Sequence, residues 1–171
     1  MFTRMETTPD AADEAPPLAL RWQWARLPEL GAVTLYAVLA ARQDVFTVEQ
    51  RCAFRDADGH DLHAWHLLGW GGATAATELA AYLRVVDPQR RYAEPSIGRV
   101  LTVASHRGKG LGRVLMREGI ARARHAWPGR RIRLAAQQRL VAFYASLGFV
   151  TVSAPYDEDG ITHVDMALDA G

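Results

Sequence analysis

The residues with the clearest chemical purpose form one turn, Arg107-Gly108-Lys109-Gly110-Leu111-Gly112, where three glycines and two cations share six positions. The apolar run IGRVLTV (97–103) precedes it, and the helical pattern VLMREGIARAR (114–124) follows. A helix that starts straight after a strand leaves its first amides without intrahelical partners and places the positive end of its dipole there. Glycines let an anion reach those amides with no Cβ in the way. The pattern points to phosphate or pyrophosphate, with a purely structural tight turn as the alternative. Two phosphate templates fail. A Walker loop needs Gly-Lys followed by Ser or Thr, and Lys109 is followed by glycine. The dinucleotide fingerprint needs a third small residue where Arg113 stands, and an acid about 20 residues on, where the chain reads PGRRIR.

Other reactive side chains are scattered. Arg42, Arg84 and Arg99 fall in or beside apolar segments, where a charge is costly unless paired; Glu49, Asp56 and Asp58 are the expected partners. The loop RDADGHD (55–61) suggests a metal site, but it lacks the spacing and terminal glutamate of a calcium loop, and His63 with His66 is too little for zinc. No metal is expected. Cys52 has no evident activator and reads as an idle thiol.

The elements that must position these groups follow from periodicity. RWQWAR (21–26) alternates like a half-buried strand, and Pro28 opens a helix whose apolar positions run from Leu30 toward Val45 and Phe46. Residues 62–70 and 78–86 read as strands joined by the glycine-rich turn GGATAAT, and 97–103 as another strand. A helix spans about 110–127 and stops at Pro128-Gly129. Residues 131–136 are a strand and 138–147 a helix capped by Gly148; 149–153 and 162–168 are strands, with Asp159-Gly160 turning between them. This is an α/β (α+β) order without internal repeat. The acidic, proline-bearing segment 1–19 is expected as a disordered tail, and 20–171 as one domain. Twenty Lys and Arg against nineteen Asp and Glu give no charge excess for nucleic acid or an anionic membrane. No apolar run approaches the ~20 residues of a membrane span, and one cysteine excludes an internal disulfide framework. A soluble, cytoplasmic protein is expected, either monomer or homodimer.

The turn matches R-x-x-G-x-G between a strand and a helix, and so resembles the pyrophosphate loop of the GCN5-related N-acetyltransferases (GNAT). The order of strands and helices from 21 to 168 is similar, including Phe143-Tyr144 and Leu147-Gly148-Phe149. RQDVFTVEQRC (42–52), HLL (66–68), AYLRV (81–85), IGRV (97–100), AAQ (135–137) and EDGITHVDM (158–166) resemble the ElaA-like branch. The resemblance implies a GNAT fold with a mixed central sheet of about six to seven strands flanked by helices. It implies acetyl-CoA as cosubstrate, direct attack by an amine on the thioester, and a small-molecule or peptide acceptor. Carried onto this chain, it places Leu101, Thr102 and Val103 along the pantetheine arm. The pyrophosphate falls to the amides of Arg107, Gly108, Lys109, Gly110, Leu111 and Gly112, with Lys109, Arg113 and Arg117 near the phosphates. Tyr144 takes the place of the general acid. Glu49, His66 and His163 remain open as the base. Arg42, Asp56, Asp58, Arg84, Arg99 and His163 frame the acceptor, the acids suiting a cationic amine. A coenzyme A sensor without turnover is the alternative of another class, and a nucleotide-binding protein is disfavoured by the two failed templates.

Overall fold

A computed structural model describes residues 20–72 and 78–171. The expected tail 1–19 and most of the expected hairpin turn, 73–77, lie outside the described residues. The chain forms β1 (Arg21–Arg26), α1 (Ala32–Arg42), β2 (Ala64–Gly71), β3 (Glu78–Val86), β4 (Ser96–Thr102) and α2 (Leu111–Ala126). It continues through β5 (Ile132–Gln137), α3 (Val141–Ala145), β6 (Val150–Thr151), β7 (Tyr156–Glu158) and β8 (Ile161–Leu168). The strands make one mixed sheet of eight in the order β1-β2-β3-β4-β5-β8-β6, with β7 on β8. That is one strand more than the sequence suggests. The addition is β7, which the Asp159-Gly160 turn folds back onto β8.

The strand β3 is buried on both faces, as its apolar run requires. On one face, the stripe Leu111, Leu115, Met116, Ile120 and Ala123 of α2 packs with Leu67, Leu83 and Ile97. Gly119 lets α2 lie close, since a Cβ there would come within 2.7 Å of Leu83 Cδ2. On the other face, Val38 of α1 joins Leu68, Tyr82 and Leu101.

Several boundaries differ from the periodicity reading. The first helix is a short turn at Leu27–Glu29, then α1, then a π-helical stretch at Gln43–Glu49. Residues 60–63 wind into a 3-10 turn before β2, held by ion pairs of Asp61. The expected helix 138–147 is a 3-10 turn followed by five helical residues, because the amides of Gly148 and Phe149 already return to Ala145 and Tyr144. The expected strand 149–153 pairs only at Val150 and Thr151.

Two irregularities open the sheet. Pairing between β3 and β4 passes from Arg84↔Gly98 to Tyr82↔Leu101, so Leu83 faces both Arg99 and Val100. Such a bulge bends its strand, and Arg99 adopts the left-handed φ of 52°. Beside it, β4 and β5 run parallel but pair only at Ser96↔Arg133. Beyond that pair a gap of about 270 Å³ separates Gly98–Val100 from Ala135 and Gln137. No helix among the described residues is long and apolar enough to cross a membrane.

Candidate active site at the splayed strands

The glycine turn connects β4 to α2 as its sequence requires. Gly108 and Gly110 adopt φ of 79° and 70°, and a Cβ built on either meets no atom within 4 Å. The glycines therefore serve backbone shape and outward access rather than internal packing. Gly110 caps α2 without a side-chain cap, which leaves the first helical amides open. Thr102, Arg107, Gly112 and Arg113 join these glycines around a cavity of about 320 Å³. Leu111 also borders it while its side chain packs in the core. The Arg113 guanidinium lies 5.9 Å from the Phe143 ring centroid. Lys109 and Arg117 are exposed and line no part of this cavity. Of the expected pantetheine residues, Leu101 is a core side chain, Thr102 borders the cavity, and the Val103 amide is taken by Ala80 O at 2.9 Å.

Arg107 donates from Nε to Thr102 O at 2.9 Å and pairs with Glu49 at 3.0 Å. Glu49 is thus tied to the glycine turn and does not pair with the three arginines of the apolar segments, contrary to the expectation from sequence. The reason is placement: the π-helical stretch carries Glu49 past the acidic loop to the turn.

The arginines instead meet three aspartates. Arg42 pairs with Asp56 at 2.8 Å and Asp61 at 2.7 Å. Arg84 pairs with Asp58 and, at 2.8 Å, with Asp61. Arg99 pairs with Asp56 at 2.6 Å and Asp58 at 3.2 Å. Arg42 and Arg84 are each 1% exposed, a position tolerable for a guanidinium only with such partners. Burial alone would raise the carboxyl of Asp61, but the Arg42 hydrogen bond and the charges of Arg84 and Arg42 hold it below the usual range. Asp58 is likewise held down against burial, chiefly by Arg84 and Arg99. The aspartates are spent on arginines rather than bare to a cationic ligand. Among the described residues no three His, Cys, Asp or Glu side chains are set to hold a metal ion. Asp61, which the sequence reading passed over, is the acceptor shared by Arg42 and Arg84; its only signal was membership of the acidic loop.

His66 belongs to this layer. Its Nε2 lies 3.2 Å from Asp61 O and its Nδ1 2.8 Å from the Tyr82 hydroxyl. The carbonyl only accepts, so Nε2 carries the hydrogen and Nδ1 accepts from Tyr82. Burial, the largest influence, lowers its proton affinity further. The ring is 1% exposed and borders neither the gap nor the cavity at the glycine turn, so it holds the layer together.

Arg99 links the layer to the gap between β4 and β5. Its guanidinium lies 5.1 Å from the Phe54 ring and 5.8 Å from Phe46, and Asp58 and Arg99 both border the cavity. Arg42, Arg84 and Asp56 stand behind that wall. Tyr144 and His163 border the same space from α3 and β8, and Cys52 from the loop after the π-helical stretch. Burial pushes the Tyr144 phenol up to about 12, so it keeps its proton at neutral pH. Gln137 Nε2 donates to Gln50 Oε1 at 3.1 Å across the cavity edge.

Residues 71–170 match the acetyltransferase (GNAT) domain. The chain is 39% identical to ElaA of Escherichia coli over 86% of its own length and 95% of that protein. It is 41% identical to a UPF0039 protein of Synechocystis, over 87% and 95%. Its structure resembles that of an acyl-CoA N-acyltransferase from Pseudomonas aeruginosa, with TM-score 0.80 and 38% identity over 88% of this chain and 99% of that one. The chain belongs to the GNAT acetyltransferase family, with ElaA and the UPF0039 proteins among its relatives.

Proposed function

We propose that this protein transfers an acetyl group from acetyl-CoA to a primary amine of a small molecule or peptide, by direct attack of the amine. The observation that carries the reading is the succession of two cavities along β4. Thr102 and the glycine turn line one, and Gly98 to Val100 with Tyr144 line the other. The donor fits the residues present. Positive-φ glycines with open space above them and uncapped amides at the start of α2 suit a pyrophosphate, and Arg107 and Arg113 add charge. Among the described residues the β4 edge facing the gap has no strand partner beyond Ser96, so its backbone is available to an extended amide-bearing arm. The likeness to an acyl-CoA N-acyltransferase supports the same donor class.

When bound, the donor supplies an activated acyl thioester. The protein's part is to orient it and to manage protons. Tyr144, protonated at neutral pH and bordering the gap, holds the proton that a departing thiolate requires. The test is thiol release from acetyl-CoA in the presence of a panel of primary amines: amino acid methyl esters, diamines and peptide N-termini. Amine-dependent release that falls sharply in Tyr144→Phe is expected. Tight acetyl-CoA binding with no release for any amine would leave a coenzyme A sensor.

A further inference from the structure

We propose, resting on the N-acyltransferase reading, that His163 is the general base that deprotonates the acceptor amine, and that Tyr156 and Asp165 position it. Lone pairs decide between the basic side chains near the gap. Glu49 is tied to Arg107, and both nitrogens of His66 are engaged. His163 differs. Its Nδ1 lies 2.8 Å from Ile161 O; because a carbonyl only accepts, Nδ1 carries the hydrogen and the lone pair of the neutral ring resides on Nε2. The ring borders the cavity that also holds Tyr144, and Nε2 has no hydrogen-bond partner among the described residues.

The ring is also held. It stacks on Tyr156 with centroids 6.1 Å apart and planes inclined by 25°. The Tyr156 hydroxyl donates to Asp165 Oδ1 at 2.9 Å, and Tyr92 donates to the same oxygen at 2.9 Å. Asp165 Oδ2 faces Arg133 at 3.3 Å, and its amide donates to Ser153 Oγ at 2.8 Å. Asp165 thereby fixes Tyr156, and Tyr156 the imidazole plane, which is the support a proton-transfer group needs.

Three acids and three arginines border the cavity, among them Arg55, which has no ion-pair partner among the described residues. Glu158 on β7 is paired with Arg91, and Arg99 on β4 with Asp56 and Asp58. Gln137, opposite His163 on β5, and the Tyr144 phenol are neutral. Asp159, at the turn before β8, has no ion-pair partner among the described residues and borders the cavity. His163 Nε2 takes one proton from the ammonium and later passes it to solvent. The nitrogen lone pair forms the N–C bond as the C–S bond breaks. Tyr144 gives its hydroxyl proton to sulfur and is restored by the second proton shed from nitrogen.

The test compares wild type, His163→Ala and Tyr156→Phe, using the panel amine turned over fastest. In wild type, kcat/KM rises through an acid limb and levels. His163→Ala is expected to lose roughly 10²-fold or more at pH 7. Its profile should become a log-linear rise of slope one toward the amine's own pKa, about 8 for a peptide N-terminus and about 10 for an alkyl amine, and added imidazole should restore part of the rate. Tyr156→Phe keeps the stack but frees the ring from Asp165, and a smaller loss in kcat at unchanged acetyl-CoA affinity is expected. Nitrogen NMR of the His163 ring gives a readout that needs no turnover, and the Nδ1–H tautomer is required. An Nε2–H tautomer would overturn the proposal, as would a folded His163→Ala protein with the wild-type profile. Acetyl-CoA binding without turnover of any amine would overturn the acyltransferase reading as well, whereas normal turnover in His163→Ala overturns the base alone.

Discussion

Asp61→Asn should be a strongly destabilising isosteric change in the layer behind the wall of the gap. One oxygen of Asp61 accepts from Arg42 at 2.7 Å and from Arg84 at 2.8 Å, and both guanidiniums are 1% exposed. Asparagine keeps an acceptor but removes the charge, leaving two buried cations short of neutralisation. Breaking a buried pair costs about 3–5 kcal/mol. Because Asp61 itself is 14% exposed, water offsets part of this and about 3 kcal/mol is expected. For a domain of this size that lowers Tm by about 6–12 °C. The pH dependence has a definite sign. The folded carboxyl is depressed below its unfolded value, so its contribution is present above about pH 4 and is lost as pH falls toward the folded value. Melts of wild type and variant should therefore differ most near pH 7 and converge on acidification. A variant that melts within 2 °C of wild type at pH 7 would show that Asp61 does not neutralise these arginines.

Other changes probe other links. Tyr144→Phe should lower kcat by roughly 10²-fold or more and leave acetyl-CoA affinity unchanged; an equal loss in both would make Tyr144 a binding residue. Glu49→Gln removes an exposed pair worth under about 1 kcal/mol and frees Arg107, so acetyl-CoA should bind equally or up to about fivefold tighter at low salt. Weaker binding would mean that Glu49 orders the turn rather than competing for its arginine. Gly119→Ala should cost about 1–3 kcal/mol in a denaturant titration, since the added Cβ would lie 2.7 Å from Leu83 Cδ2 in the core. An unchanged midpoint would mean that α2 shifts freely on the sheet.

Local patterns made most of the fold legible. The stripe of α2, the alternation of β1 and the strand-turn-helix at 97–127 depend on near neighbours in the chain, and they stand as read. The departures lie where distant contacts decide. Asp61 pulls 60–63 into a turn, and Gly148 ends α3 within a few residues. β7 exists only because β8 offers it an edge. The candidate site follows the same division. The shape of the glycine turn was readable because glycine spacing encodes positive-φ backbone directly. That Arg42, Arg84 and Arg99 need partners was also readable, from charges set in apolar runs. Asp56 and Asp58 were rightly expected among their partners, but Glu49 was not excluded, because it is carried toward Arg107 by a π-helical stretch that periodicity does not mark. The difference between His66 and His163 is equally hidden. Both lie on strands, and only the positions of the Asp61 and Ile161 carbonyls show which nitrogen stays free.

Calorimetric titration with acetyl-CoA, comparing wild type with Gly110→Asp, tests the central claim most directly. Aspartate adds a side chain and a negative charge in the open space above the uncapped start of α2, at a residue with φ of 70°. Saturable binding by wild type, lost in a variant that circular dichroism shows to be folded, is the predicted result. Wild-type protein that binds no acetyl-CoA, or a folded variant that binds it equally well, would contradict the assignment of the glycine turn as the seat of the donor's pyrophosphate.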